Sequence, residues 1–388
     1  SIPFYFSIYN LTFLNSFFES VSGFTATGFT IINNIDDIDE PLILWRSSSQ
    51  WVGALLFIMI TIATIGSKQI KIKPAYLISG GASGSNFYNN FNYNFIKILS
   101  IYLFSTIFAV FLFNLTGLRL LDSVNLSLTS ISSGGFIPGD NLKNILTNNL
   151  QIFIFSLVLL IPIFNFFLFY NLATKQFSFR NHLEDFHLGS LIILLSIFLY
   201  FFVVNEKEFV GIFFAITSSI STSGVTTYSS DIDLSLLFIL LAMVGGSLIS
   251  ASSGFKYTRI YILLKISYQE IYRLVKPINI IDKNLFNSEA KIDDQDVKIA
   301  FLVFISFIIS IFVLSTLLAF DYLTFENSFK LSILTITNTV NSALYGLEGL
   351  NFIDLNNFTK ISLIVFMILG RIEIIAVLYL VKRLFFKE

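Results

Sequence analysis

Cysteine is absent from this chain of 388 residues, and histidine occurs only at His182 and His187. Without thiols there is no disulfide framework, no thiolate metal centre and no cysteine nucleophile. Two histidines in one polar stretch do not make a histidine-built zinc site. Charge is scarce as well: Asp, Glu, Lys and Arg make up 13% of the residues, against about 25% in a soluble domain. Apolar side chains are what the chain has in excess, at 55% with 46 Phe and a mean hydropathy of +0.78. Lipid is therefore the expected solvent, and a soluble enzyme is the wrong class. No covalent chemistry, bound cofactor or nucleic-acid partner is expected. The start, Ser1-Ile2-Pro3, has no Met, no basic n-region and no small-residue cleavage site, so the expectation is a chain that lacks its natural N-terminus.

Apolar runs long enough to span a bilayer lie near 44–66, 95–118, 150–173, 188–204, 234–264, 299–320 and 359–381. Between them are shorter semi-apolar segments near 11–23, 120–132, 208–220 and 325–338. Each is too short to cross and suits a half-helix that enters the membrane and returns as non-helical backbone. Such backbone is tolerated only where protein buries it or a watery cavity adjoins it.

The four half-helices end alike. Aligning Gly28, Gly135, Gly224 and Val340 places a hydroxyl residue three positions earlier each time, at Thr25, Ser132, Ser221 and Thr337. The spacing is far longer than a solenoid period and fits a span–half-helix–span unit used four times. The expected units are 1–73, 74–175, 176–276 and 277–388, the first lacking its leading span. Acidic residues such as Asp36, Asp37, Asp39, Glu40, Asp231 and Asp233 adjoin the half-helices. The opposite loops carry Lys68, Lys71, Lys73, Arg259, Arg273, Lys276, Lys382 and Arg383. The positive-inside rule then puts the half-helices on the outer side of a cytoplasmic membrane.

Four re-entrant Ser/Thr/Gly strands meeting on one axis would form a ring of carbonyls able to replace an ion's hydration shell. The candidate ring residues are Ala26, Thr27, Gly28 and Phe29; Ser133, Gly134, Gly135 and Phe136; Thr222, Ser223, Gly224 and Val225; and Asn338, Thr339, Val340 and Asn341. Glycine suits the axis because it accepts positive φ and has no Cβ. Half-helix C-termini aimed inward would favour a cation. The competing reading is ordinary loops or small-residue packing faces.

These residues resemble a family. Glu19-Ser-Val-Ser-Gly-Phe-Thr-Ala-Thr-Gly28 resembles the first filter of the Trk/Ktr/HKT superfamily of potassium transporters. Trp45-Arg46-Ser47 with Gln50-Trp51-Val52-Gly53 is similar to the start of the next span in its TrkH branch. Ile131-Ser-Ser-Gly-Gly-Phe136 is similar to the second filter, and Gly370-Arg371-Ile372-Glu373 to the last-span signature. The resemblance runs from about residue 4 to the C-terminus. It implies an all-α membrane protein that takes up potassium through a filter built from one chain. It further implies a homodimer gated by a cytosolic nucleotide-binding ring protein of TrkA type.

One residue departs from the family pattern: Val340 stands where the fourth filter usually has glycine, and Asn341 replaces proline. A valine there either holds a strained positive φ or turns its carbonyl aside. Weak Na/K selectivity and a non-conducting scaffold are accordingly the alternatives to potassium uptake. The run 234–264 is interrupted by Gly245, Gly246, Ser247, Ser250, Ser252, Ser253 and Gly254, which suit a gating loop or a close-packing face. The resemblance supports the gate. Arg371 reads as the only basic residue deep in a span; the resemblance places it in the ion path, the alternative being a pair with Glu373. The acidic loop 36–40 either concentrates cations or is merely solvated. The stretch 265–298, with Lys265, Arg273, Lys276 and Lys283, is a docking surface or a linker. His182, Glu184, Asp185 and His187 read as a solvated inner loop.

Overall fold

The computed structural model describes residues 1–7, 9, 11–65, 91–175, 177–202, 209–227, 233–275, 284–287, 292–321, 323–347 and 349–372. Among these the regular elements are helical, as the apolar runs predict. Half-helices α1 (Phe13–Phe24), α4 (Leu120–Ser132), α8 (Phe209–Ile220) and α12 (Phe325–Ile336) alternate with longer helices. After α1 comes α2 (Glu40–Ile65), and before α4 comes α3 (Phe91–Leu115). The pair α5 (Asn149–Ile163) and α6 (Phe166–Ala173) precedes α7 (Leu183–Phe202). Next to α8 in sequence lie α9 (Ser235–Val244) and α10 (Tyr257–Val275), while α11 (Asp294–Ala319) and α13 (Asn357–Arg371) flank α12. Four helices, Glu40–Thr61, Phe95–Leu115, Phe179–Phe202 and Asp294–Ala319, are long and apolar enough to cross a membrane.

The sequence marks the helix ends. Thr12 and Thr324 stand equally far ahead of Gly28 and Val340, and each accepts a hydrogen bond at 3.3 Å from a backbone N–H of the first turn, Asn15 and Asn327 respectively. Such caps satisfy donors that lipid cannot. Within the half-helices, hydroxyls are spent on their own backbone: Ser127 on the Ser123 carbonyl and Ser332 on the Ser328 carbonyl, both at 2.6 Å. That bonding pairs polar groups that lipid could not, while among the described residues the buried hydroxyls of Ser16, Ser22 and Ser328 make no such bond.

The expected span at 150–173 is broken. Pro162 lies in the last turn of α5, Phe164 is extended, and α6 departs at 101°. Asn165 then starts α6, its side chain accepting from Phe167 N–H at 3.0 Å. The periodicity of an apolar run does not register such a corner; the proline and the asparagine do.

Packing closes a circuit: α1 contacts α2, α2 contacts α4, α4 contacts α5, α5 contacts α8, α8 contacts α9, α9 contacts α12, α12 contacts α13, and α13 returns to α1. The half-helices thus stand in the order α1, α4, α8, α12 around one centre. Two glycines let a longer helix approach the end of a half-helix closely. A methyl on Gly53 of α2 would overlap the Phe24 carbonyl at the end of α1, and one on Gly370 of α13 would overlap the Ile336 carbonyl at the end of α12. Gly53→Val and Gly370→Val should therefore each cost about 1–3 kcal/mol or more of stability by overpacking. Gly349→Ala, where nothing lies within 4 Å, should stay within about 0.5 kcal/mol. Melting of the purified proteins in detergent checks this, and equal midpoints for all three would refute it.

Candidate functional site

Each half-helix ends in one construction. Ala26, Ser133, Thr222 and Asn338 adopt left-handed backbone, with φ of 53°, 62°, 63° and 50°. Their N–H groups bond back to the carbonyls of Gly23, Ser130, Ser219 and Thr335 at 2.9–3.2 Å. One residue on, Thr27, Gly134 and Thr339 donate to Ser22, Thr129 and Leu334, each at 2.9 Å. These are Schellman closures; in α8 the longer bond is made by Gly224, to Ser218 at 3.2 Å. The hydroxyls singled out by the alignment have a matching task. Thr25, Ser132, Ser221 and Thr337 donate to carbonyls of the last helical turn, at 2.7, 3.0, 2.9 and 2.9 Å.

Beyond the closures the chain runs as extended strands that meet. Gly28, Gly135 and Gly224 have φ of 85°, 95° and 69°. A Cβ on Gly28 would lie 2.7 Å from the Gly134 carbonyl, one on Gly135 2.6 Å from that of Ser223, and one on Gly224 2.8 Å from that of Val340. Each glycine therefore faces the carbonyl of the next strand round the circuit, and any side chain would collide. Val340 is different: it is not among the residues of positive φ, so the strained form expected as one possibility does not occur. Outside the ring lies a cavity of about 430 Å³, lined by Gly28, Thr30, Gly135, Val225, Val340 and Asn341 among others.

Polar groups fix the strands from behind. Glu19 and Arg46 form an ion pair at 3.0 Å, with exposures of 0% and 1%. Glu19 also accepts from the Thr30 hydroxyl at 3.0 Å and the Ile31 N–H at 2.9 Å, while Arg46 donates to Thr30 at 3.1 Å. The Arg46 guanidinium lies 4.2 Å from the centre of the Phe136 ring, joining the first strand to the second. The Thr129 hydroxyl donates to the Phe136 carbonyl at 2.8 Å, and Ser218 holds the Val225 carbonyl at 2.5 Å. Asn338 donates to the Thr27 hydroxyl at 2.9 Å and to the Met367 carbonyl at 2.8 Å.

Beneath the ring, residues 245–256 form a loop between α9 and α10. Ser253 N–H donates to the Thr222 hydroxyl at 3.0 Å, and Arg371 donates to the Ser253 hydroxyl at 2.5 Å. Lys256, itself at φ 77°, donates to the Ser252 carbonyl at 2.5 Å and to the Ser250 hydroxyl at 3.1 Å. Gly246 N–H donates to Ser252 at 2.9 Å. The loop also rests on the α5–α6 corner: Ser247 N–H donates to the Ile163 carbonyl at 2.8 Å, and Phe166 N–H to that of Ile249 at 3.1 Å.

No protein-family model matches the chain. An uncharacterized cation transporter of Methanocaldococcus jannaschii is 26% identical over 399 residues, covering all of this chain and 80% of that one. The Trk system potassium uptake protein TrkH of Escherichia coli is 26% identical over 404 residues, covering all of this chain and 83% of that one. The crystal structure of the potassium transporter TrkH from Vibrio parahaemolyticus superposes with a TM-score of 0.81 at 24% identity, over 96% of this chain and 78% of that one. The chain has the fold of a Trk-type membrane subunit. It is an all-α, multi-pass membrane protein, as its composition and motifs imply.

Of the sixteen candidate ring residues, Ala26, Ser133, Thr222 and Asn338 are the left-handed closures and the other twelve follow them, and the small-residue run forms the loop beneath. Arg371 reaches this loop; Glu373 lies outside the described residues, as do Asp231, Lys68, Lys71, Lys73, Lys276, Lys283, Lys382 and Arg383. Two expectations need correction. Arg371 is not the only buried base, since Arg46, Lys256, Arg259 and Lys360 are also at most 6% exposed. Nor are His182, Glu184 and Asp185 solvated: all are buried. Glu184 accepts from Leu248 N–H at 3.1 Å and from the Thr258 hydroxyl. Asp185 accepts from Asn165 N–H at 2.9 Å and pairs with His182 Nδ1 at 3.3 Å. They tie α7 to the loop and to the corner. A solvated polar cluster and a buried one read identically in sequence; only the partners of the carboxylates, Asn165, Leu248 and Thr258, all twenty or more residues away, distinguish them.

The Glu19–Arg46 pair yields a stability test. Arg46→Met leaves the Glu19 charge buried without its counterion and should cost about 3–5 kcal/mol, whereas Arg46→Met with Glu19→Gln should cost clearly less than the two single changes added. Unfolding of the three variants measures the coupling, and strict additivity would mean that the pair does not act as a unit.

Proposed function

We propose that the chain carries potassium inward across the cytoplasmic membrane, down its electrochemical gradient, through the ring formed by residues 26–29, 133–136, 222–225 and 338–341. The observation that carries this reading is the convergence of four half-helices, each closed by a left-handed residue, with three of the strands beyond them set against the next strand's carbonyl. Such an arrangement offers carbonyl oxygens and negative helix ends to a bare cation and gives catalysis nothing to work with. The relatives' names favour potassium as the cation.

In this reading the four units 1–73, 74–175, 176–276 and 277–388 each supply one strand, and the loop 245–254 is the gate. Arg371, bonded to that loop through Ser253, couples the charge below the ring to loop position. A homodimer and a cytosolic regulatory subunit of TrkA type complete the proposal, with the region around Lys265 and Arg273 as the inner docking face. Val340 favours weak discrimination between potassium and sodium as the second reading, because one of four strands lacks glycine geometry.

Radioactive rubidium uptake in a bacterium lacking its own potassium uptake systems tests the proposal, with sodium as competitor. The parent should exceed the empty-vector rate, and Gly135→Ser should lose about tenfold in potassium-over-sodium preference, equivalent to about 1.4 kcal/mol. Uptake at the vector level from well-expressed, folded protein would sink the reading. Separately, Arg371→Ala and deletion of Ser250 to Ser253 should each raise steady flux; parental flux in both would remove the gate from the loop.

A further inference from the structure

The circuit of half-helices sets Val340, on the fourth strand, between Gly28 and Gly224 and opposite Gly135. A Cβ placed on Gly28 would lie 3.1 Å from the Val340 Cβ, and one on Gly135 3.0 Å from it; one on Gly224 would lie 3.0 Å from Val340 Cγ1. The valine side chain is thus pressed against all three glycine strands at once, including the one across the ring. Only a group on the axis can do this.

We propose that the Val340 side chain is an apolar plug on the axis of the ring, a constriction in series with the loop beneath it that slows the passage of cations. The proposal rests on the transport reading above and deepens it. Its physical basis is exclusion. A dehydrated cation at this level needs carbonyl oxygens where the two methyl groups now are, and an apolar constriction offers no ligand to replace lost water. One of the carbonyls is also engaged, since the Ser342 hydroxyl donates to the Gly224 carbonyl at 2.6 Å.

The plug is held rather than loosely hung. Its backbone is not left-handed, so no strain drives it out. Asn338 on one side bonds to Thr27 and Met367, and Ser342 on the other bonds to the third strand. Because valine branches at Cβ, any one direction holds a methyl group in two of the three χ1 rotamers, so turning χ1 cannot remove both methyl groups from the axis as it could for an unbranched side chain. The outer cavity reaches Val340 directly, so ions arrive at the plug before they meet the loop at Ser253.

The test is rubidium flux into vesicles of phosphatidylethanolamine and phosphatidylglycerol containing the full chain, with Val340→Gly and the isosteric Val340→Thr beside the parent. Val340→Gly clears the axis, and Val340→Thr keeps the shape while supplying a hydroxyl ligand, which guards against a folding failure of the glycine variant. The expected result is a slow parent and an increase of about tenfold or more in at least one variant. Parent and both variants passing rubidium at one measurable rate would overturn the plug and leave transport standing. Monodisperse protein that passes no rubidium in any of the three forms would overturn both.

Discussion

Non-helical backbone carried to membrane depth must satisfy its own N–H and C=O groups, and the rest of this structure follows from that requirement. Four half-helices stop in mid-protein, and each leaves carbonyls that water cannot reach. The chain answers with a left-handed residue, two backward hydrogen bonds and a hydroxyl that donates to a carbonyl of the last turn. Once the helix ends are closed in this way, the strands beyond them emerge in one direction. Their meeting on a common axis is then a matter of packing the half-helices in a circuit.

That packing is polar to an extent unusual for a lipid-solvated protein, and the polarity is inward. The Glu19–Arg46 pair, the Gln50–Thr129 contact at 3.0 Å and the Asn338 bonds all lie behind strands and not on the lipid face. Each is partnered across two elements, so a shift of one strand would strand a charge or an amide in a dry place. The loop beneath the ring is held in the same manner, by Lys256 from within and by Glu184 and Arg371 from outside. Ring, loop and the α5–α6 corner accordingly form one connected network.

Much of this was legible in the residues. The run 120–132 coincides with α4, and 325–338 overshoots α12 by two residues, because short apolar segments with Ser/Thr/Gly ends signal both length and closure. The hydroxyl shared by Thr25, Ser132, Ser221 and Thr337 pointed to a common local geometry, which the hydrogen bonds supply. Long-range pairing was not legible. Nothing near Glu184 in sequence announces Leu248 or Thr258, and hydropathy cannot say whether a carboxylate meets water or a backbone N–H. The φ of Val340 was likewise beyond pattern reading, since a residue that replaces glycine can keep its backbone shape or abandon it.

The left-handed closures carry a consequence for which substitutions the protein tolerates. Ala26, Ser133, Thr222 and Asn338 occupy a conformation that glycine adopts at no steric cost, and β-branched Thr222 is the least suited of them. Two residues further on, Gly28, Gly135 and Gly224 admit no side chain at all. Three of the four strands thus place, two residues apart, a site where glycine would relieve the backbone and a site where only glycine fits. Mutational drift through these segments is permissive and forbidding in alternation, and a tally of glycines alone would misjudge which of them the ring depends on.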